Sequence, residues 1–335
     1  MIPDAWAALR GLTLRAAPDA GLINETLVAG DPPRFAVQRV NAIFSPRVHE
    51  DIDAVTRHIA AKGMVTPRLV PTDGGELWAT GDDGAIWRVL DWVPGRTLHR
   101  VTDPGVAARA ATLVARFHGA LADLEWTYRS VRAGAHDTVA HLARLEEAAC
   151  VVNGARTELE LRAAAVADGI LGEWSTWSGR LDLPARHAHG DLKISNIRFA
   201  PDGSALCLLD LDTLGRLSVD VELGDAWRSW CNPVGEDSTE TTFDLAVFAA
   251  SAGAYLETNP LAREEREALV AGIERIALEL AARFCLDVFE DRYFGWDPAR
   301  FPSRPAHDLF RAQGQLALAR SVRGRRTEAE RLVLG

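Results

Sequence analysis

Asp191 and Asn196 stand five residues apart in His189-Gly190-Asp191-Leu192-Lys193-Ile194-Ser195-Asn196, and Asp210 closes the run Leu208-Leu209-Asp210-Leu211-Asp212 a little further on. A carboxylate can take a proton from an attacking hydroxyl, and an amide oxygen and a second carboxylate are hard donors that suit Mg²⁺. Phosphoryl transfer from ATP needs that set: one proton acceptor, and oxygen ligands for the ion that bridges the phosphates.

The stretch between the two runs supports their meeting. Ile197-Arg198-Phe199 and Ala205-Leu206-Cys207-Leu208-Leu209 read as short strands around the turn Pro201-Asp202-Gly203. Pro presets φ, Asp tolerates turn geometry and Gly accepts positive φ. Such a hairpin returns Asp210 to the side of Asn196, so two ligands distant in sequence can share one ion. A surface loop with ordinary acids would not need the turn and the second Asp pair.

Around these residues the chain reads as two parts. At 335 residues it is long enough for two domains or one two-lobed unit. The first ninety or so residues are strand-rich around one helix. A glycine-led turn at Gly21 enters a strand through Val28, and Phe35–Val40 is its hairpin partner. A helix follows from about Val48 to Lys62, with Ile52, Val55 and Ile59 on one face and Gly63 ending it. Leu77–Thr80 and Ala85–Val93 are two more strands, and Pro94-Gly95 marks a hinge. Beyond it the pattern is helical: Val106 to Leu124, one or two helices between 138 and 177, and a long one carrying Leu269, Ile273, Ile276, Leu280, Phe284 and Val288. The expectation is an α+β fold, with a small β-rich lobe over 1–94 and a larger, mostly helical lobe over 95–335.

Composition narrows the function classes. A formal charge of −10 argues against a nucleic-acid surface, and the short basic run Arg320 to Arg326 reads as a solvated helix end. No stretch of eighteen apolar residues is present to span a membrane, and Met1 to Trp6 lacks the basic and apolar regions of a secretory signal. The four cysteines, at 150, 207, 231 and 285, form no C-x-x-C pair, which fits buried thiols in a cytoplasmic protein.

His189-Gly190-Asp191 through Asn196, then Asp210-Leu211-Asp212, resembles the aminoglycoside phosphotransferase and choline kinase branch of the protein-kinase-like fold. A closer likeness, over nearly the whole chain, is to bacterial N-acetylhexosamine 1-kinases. It is carried by Gly21 to Thr26, Val37 to Asn41, Trp87-Arg88-Val89, His136-Asp137-Thr138, Asp210 to Thr213, Gly224 to Arg228 and Arg283-Phe284. The resemblance implies a two-lobed kinase fold using ATP and Mg²⁺. In it Asp191 is the catalytic base, His189 braces the loop, Asn196 and Asp210 hold the metal, and Asp212 is a further metal candidate. Nucleotide contacts fall to Gly21, Asn24, Thr26, Gln38, Arg39, Trp92 and Lys193. Gln38 stands where a protein kinase has its strand lysine, so the cation that clamps the phosphates is open, with Arg39 and Lys193 as candidates. Glu50, Asp51 and Asp53 are the acids available on the first helix.

For the acceptor, His136 and Asp137, with Asp225 and Arg228, are the candidate polar contacts, although Asp225 and Arg228 also fit a structural ion pair. Trp230, Tyr293 and Trp296 could stack on a sugar. Asp225, Glu236, Asp237 and Glu240 could instead build an acidic pocket for an amine-bearing acceptor. The expected activity is transfer to a small-molecule hydroxyl, foremost the anomeric hydroxyl of a sugar or N-acetylhexosamine. The alternatives are an aminoglycoside, homoserine or choline acceptor, or a nucleotide-binding pseudokinase, which the intact trio of Asp191, Asn196 and Asp210 argues against. No Ala-Pro-Glu segment follows Asp212 to platform a peptide.

Overall fold

The computed structural model describes residues 2, 4–17, 23–131, 134–150 and 157–335. In chain order its elements are β1 (Leu14–Ala16), β2 (Glu25–Ala29), β3 (Phe35–Val40), α1 (Val48–Ala61), β4 (Ala79–Thr80), β5 (Ile86–Asp91), α2 (Pro104–Leu121), α3 (Thr138–Cys150) and α4 (Glu158–Ser175). Then come β6 (Ala185–Ala188), β7 (Ile197–Phe199), β8 (Ala205–Leu208), β9 (Gly215–Ser218), α5 (Val219–Trp230), α6 (Leu245–Thr258), α7 (Arg263–Glu290), α8 (Arg304–Gly324) and α9 (Arg326–Leu334). The fold is α+β, a small antiparallel sheet and a larger helical part. Two units result. One holds Met1–Leu98, Leu113–Arg132 and Ser195–Gly215; the other holds His99–Thr112, Ala133–Ile194 and Arg216–Gly335.

In the first unit the sheet runs in the order β1-β2-β3-β5-β4, all antiparallel. Its two faces differ because side chains alternate along a strand. Leu27, Val37 and Val89 are direct partners across β2, β3 and β5, and this apolar row packs with Trp6, Ala29 and Trp87 into a core. One residue along, Thr26, Gln38 and Arg88 form the matching row on the other face. A polar row on a sheet face must find partners of its own. The helix α1 buries Val48, Ile52, Val55 and Ile59 and packs against the 211–213 turn. β7 and β8 pair as the expected hairpin, and β7 is bridged to Arg96.

In the second unit α7 is the organising element. It runs 28 residues and buries positions around its whole circumference, because α3, α4, α5, α8 and α9 all pack on it. Leu278, Ala281, Ala282, Cys285 and Leu286 meet Leu142, Leu145, Ala167, Ile170, Leu309 and Ala312 in one apolar core. Where α5 crosses α7 the backbones nearly touch. A Cβ on Gly224 would lie 2.7 Å from the Gly272 oxygen, and one on Gly272 would lie 2.3 Å from the Asp220 oxygen. Only glycine fits either position, and this close crossing fixes the height at which α5 presents its acids.

Several boundaries move from those expected. The strand placed at Leu77–Thr80 is the two-residue β4, α2 begins with Pro104 just inside as expected but stops at Leu121, and the 138–177 stretch resolves into α3 and α4. Strands β1, β6 and β9 were not anticipated. No helix among the described residues is long and apolar enough to cross a membrane.

Candidate active site

The loop that follows β6 belongs to the second unit and is hung on carboxylates of α5. Glu222 accepts the backbone N–H of His189 at 2.7 Å and that of Gly190 at 2.9 Å, one on each oxygen. Asp225 accepts the Leu192 N–H at 3.1 Å, and the buried indole of Trp230 donates to the Leu192 oxygen at 2.7 Å. Gly190 sits at φ +82, a conformation that a residue with a Cβ rarely adopts. Hence glycine, not arginine, fits between His189 and Asp191. His189 is fully buried, and its Nδ1 accepts the Asp191 N–H at 3.2 Å, so it braces the loop from within.

Asp191 keeps about a quarter of its side chain exposed and pairs through Oδ2 with the Lys193 ammonium at 2.8 Å. Burial pushes its carboxyl up, but the Lys193 charge and hydrogen bond outweigh it, helped by His189 and Arg228, and the net shift is downward. Asp191 is therefore a carboxylate at neutral pH. Beneath the loop, His136 reaches the Gly190 oxygen at 3.4 Å through Nε2 and Glu279 at 3.0 Å through Nδ1. Glu279 also accepts the Thr138 hydroxyl at 2.6 Å. Burial disfavours the charged imidazole, yet the bond and charge of Glu279 raise its pKa on balance.

The hairpin lies in the first unit. Leu209 N donates to the Asn196 oxygen at 2.8 Å, and Ile197 pairs with Leu208. Asn196 and the residue before Asp210 are thus backbone neighbours. Asp210 itself is left-handed, φ +56 and ψ +57, one of two non-glycine residues with positive φ among those described. Asp212 is 1% exposed, and its carboxylate is engaged by the Arg88 guanidinium in a two-pronged ion pair and by Asn24 Nδ2 at 2.6 Å. Burial raises the Asp212 pKa, and Arg88 and Asn24 reverse that to a net lowering.

The residues expected at the nucleotide separate into groups. Asn24, Thr26 and Gln38 are joined to one another through Arg88 and Asp212: Gln38 Nε2 donates to the Thr26 hydroxyl at 3.0 Å, and Arg88 Nε donates to Gln38 Oε1 at 2.8 Å. Arg39 lies on the opposite sheet face and pairs with Asp83 at 3.1 Å. Trp92 is half-buried under the Arg198 guanidinium, 4.6 Å from its ring centre. Lys193 is at Asp191, and Gly21 lies outside the described residues. Of the α1 acids, Asp51 takes the Trp126 indole and the Arg129 and Ser130 N–H groups, while Glu50 and Asp53 pair with Arg47 and Arg57 on the helix surface.

The acceptor candidates also divide. Asp137 caps α3, accepting the Ala140 N–H at 3.0 Å. Arg228 bridges Asp225 at 2.8 Å and Glu236 at 2.6 Å, and both Asp225 and Arg228 are buried. Trp230, at 1% exposure, offers no face for stacking, whereas Tyr293 is half exposed. Sequence reasoning assigned no role to Glu222, Glu279 or Arg88. The signal for the first was the three-residue spacing of Glu222, Asp225 and Arg228 along α5.

Asn196 and Asp210, brought near one another through the hairpin backbone, both carry oxygen donors, and no group of three or more His, Cys, Asp or Glu side chains gathers to hold a metal among the described residues. A pair of hard oxygen donors suits a cation that keeps its remaining positions for phosphate oxygens and water, so the residues present fit a magnesium-type ion.

Comparison with known proteins gives the family and the fold. The model of the phosphotransferase enzyme family matches residues 16–261. Among solved structures, an aminoglycoside phosphotransferase from Alicyclobacillus acidocaldarius superposes with a TM-score of 0.62 at 17% identity, covering 99% of this chain and 97% of that one. The amicoumacin kinase hAmiN, in complex with AMP-PNP, Ca²⁺ and Ami, gives a TM-score of 0.62 at 13% identity, covering 91% and 87%. A microcompartment-associated aminopropanol kinase gives 0.61 at 15% identity, covering 97% and 95%. At these identities the likeness is one of fold.

Proposed function

The chain belongs to the phosphotransferase enzyme family and is a phosphotransferase with an alcohol group as acceptor; from that premise we propose that it moves the γ-phosphoryl group of ATP to the anomeric hydroxyl of a sugar, an N-acetylhexosamine above all. The observation that carries the kinase reading is the backbone hydrogen bond from Leu209 to Asn196, which brings the Asn196 main chain next to the residue before Asp210. Asp191 receives the acceptor's proton as its oxygen bonds to the γ-phosphorus, and the bond to the bridging oxygen breaks to release ADP. Its carboxylate, already deprotonated and steadied by Lys193, is in the form that this step needs. His189, Glu222 and Asp225 hold the loop through its backbone N–H groups. Asn196 and Asp210 would hold Mg²⁺, which supplies positive charge to the phosphate oxygens when bound. We place the enzyme in the cytoplasm, on its free cysteines and its nucleotide substrate.

Two observations support a sugar over an amine-bearing acceptor. The resemblance to N-acetylhexosamine 1-kinases is carried by motifs spread over nearly the whole chain. Further, three of the four acids that could bind ammonium groups are already paired: Asp225 and Glu236 with Arg228, and Asp237 with His307, Arg300 and Arg311. An acid that faces a guanidinium offers little net field to a second cation. The second reading, an amino-alcohol or aminoglycoside acceptor, draws on the names of the neighbouring structures. Following ADP release with ATP and Mg²⁺ against a panel of hexosamines, neutral hexoses, aminoglycosides and amino alcohols decides between them. Turnover with hexosamines alone supports the proposal, and turnover confined to the amines overturns it.

A further inference from the structure

We infer that Arg88 is a positioning residue for the metal-binding loop, acting through Asp212; the inference rests on the kinase reading above. Arg88 is 2% exposed, in the middle of β5, directly across from Gln38 on β3. A buried guanidinium there is unexpected on grounds of stability, since an apolar pair of the same volume packs at least as well as a desolvated ion pair. Its geometry uses the whole fork. Nη1 and Nη2 take both oxygens of Asp212, and Nε donates to Gln38 Oε1. A lysine has one point of charge and cannot make both contacts at once.

The pair reaches further through Asn24. Its Nδ2 donates to Asp212, its Oδ1 accepts the Asn41 N–H at 2.9 Å, and Asn41 Nδ2 donates to the Ile23 oxygen at 3.2 Å. The 23–26 stretch, the end of β3, the middle of β5 and the 210–213 loop thus share one network. Asp210 lies between two fixed points, the Leu209–Asn196 backbone bond before it and the Asp212 ion pair after it. Those two points hold it at positive φ, a conformation that an aspartate leaves readily when unconstrained. Gln38 is uncharged, and a cation stands one strand over, on β5, where Arg88 organises the loop that presents the metal ligand.

The test measures nucleotide binding without an acceptor, so that turnover is not the readout. ADP binding is followed by calorimetry over a series of Mg²⁺ concentrations, with the melting temperature of each ligand-free protein recorded alongside. Loss of an outer partner of a metal ligand weakens metal affinity about 10- to 100-fold. Arg88→Lys should therefore raise the half-saturating Mg²⁺ about tenfold or more, while ADP affinity without metal stays near that of the wild type. Asn24→Ala and Gln38→Leu should move it the same way by less, and they decide the matter if Arg88→Lys does not fold. Folded variants that melt lower but keep the wild-type Mg²⁺ requirement would overturn the inference, because a purely structural role predicts that pattern. Asp210→Asn separates the two levels. If it shifts the Mg²⁺ requirement and the Arg88 network variants do not, only the positioning role falls; if it shifts nothing, the metal assignment itself is wrong.

Discussion

In the 189–193 loop the supporting carboxylates come from outside, on α5, and receive main-chain N–H groups; in the 210–213 loop the carboxylate belongs to the loop and reaches out to a guanidinium on β5. The first arrangement rests the loop largely on outside carboxylates, with His189 bracing it from within. Backbone donors are present whatever the residue, so Asp191 can be specialised for chemistry while Glu222 and Asp225 hold the shape. The second has no such separation. Asp212 is at once part of the loop and its anchor, and its partner is a full charge with 2% exposure. A loop built the first way fails through its supports and tolerates change at its tip, whereas one built the second way fails wherever it is touched.

The sharpest contrast comes from the two aspartates. Asp191→Asn removes the proton acceptor but no anchor, and it should lower kcat about 10²- to 10⁴-fold. Its melting temperature should stay near that of the wild type. Asp212→Asn leaves Arg88 buried with a neutral partner, which costs about 3–5 kcal/mol of stability when a buried pair is broken. Chemical denaturation and steady-state kinetics on the two proteins check both halves. Equal destabilisation by the two substitutions would break the distinction between the loops.

A smaller effect is expected at the supports. Glu222→Gln offers one oxygen where two N–H groups need two, so one of His189 N and Gly190 N loses its partner. An unsatisfied buried donor costs about 1–3 kcal/mol. Activity should fall alongside stability because the Asp191 carboxylate is no longer held in place. If Glu222→Gln keeps both full stability and full kcat, α5 does not carry the loop and the comparison loses its first term.

The same contrast marks what could be read from sequence. β3 is expected at Phe35–Val40 and found there, and α1 differs from its expected span only at its last residue. The hairpin from Ile197 is recovered because Pro201-Asp202-Gly203 is a local turn signal. These features rest on periodicity and turn chemistry within a few residues. By contrast β6 pairs with β9 across some thirty residues, and β1 is a three-residue exposed edge strand with no alternation to betray it. The site divides in the same manner. Asp191, Asn196 and Asp210 stand out through spacing alone. Glu222, Glu279 and Arg88 have no local signature of their roles, since each matters only for what a distant segment brings to it. Asp137 shows how local signals overlap: an acid before a helix is a cap as readily as a ligand, and here it caps α3.

The smallest expected effect concerns pH and belongs to the first loop. Protonated His136 donates from both ring nitrogens, to Glu279 and to the Gly190 oxygen, whereas the neutral ring keeps only one N–H. Its folded-state pKa is raised above the ordinary 6.5 by Glu279, against the opposing effect of burial. The charged form is thus favoured by folding, and the stability it contributes is fully present below pH 6.5 and fades as pH rises through the folded-state value. Glu279 works in the other direction. Burial raises its pKa, His136 and Thr138 lower it further, and its contribution is present above the ordinary 4.5 and lost on acidification. The two together place the optimum of this pair between pH 4.5 and 6.5. Urea unfolding from pH 5.5 to 8.5 should show the wild type losing more stability on the alkaline side than His136→Gln, which at pH 6 should itself be about 1 kcal/mol less stable than the wild type. The 210–213 network offers no counterpart, because its guanidinium does not titrate in this range. Parallel pH profiles for wild type and His136→Gln would show that the histidine beneath the catalytic loop is neutral throughout and contributes by packing alone.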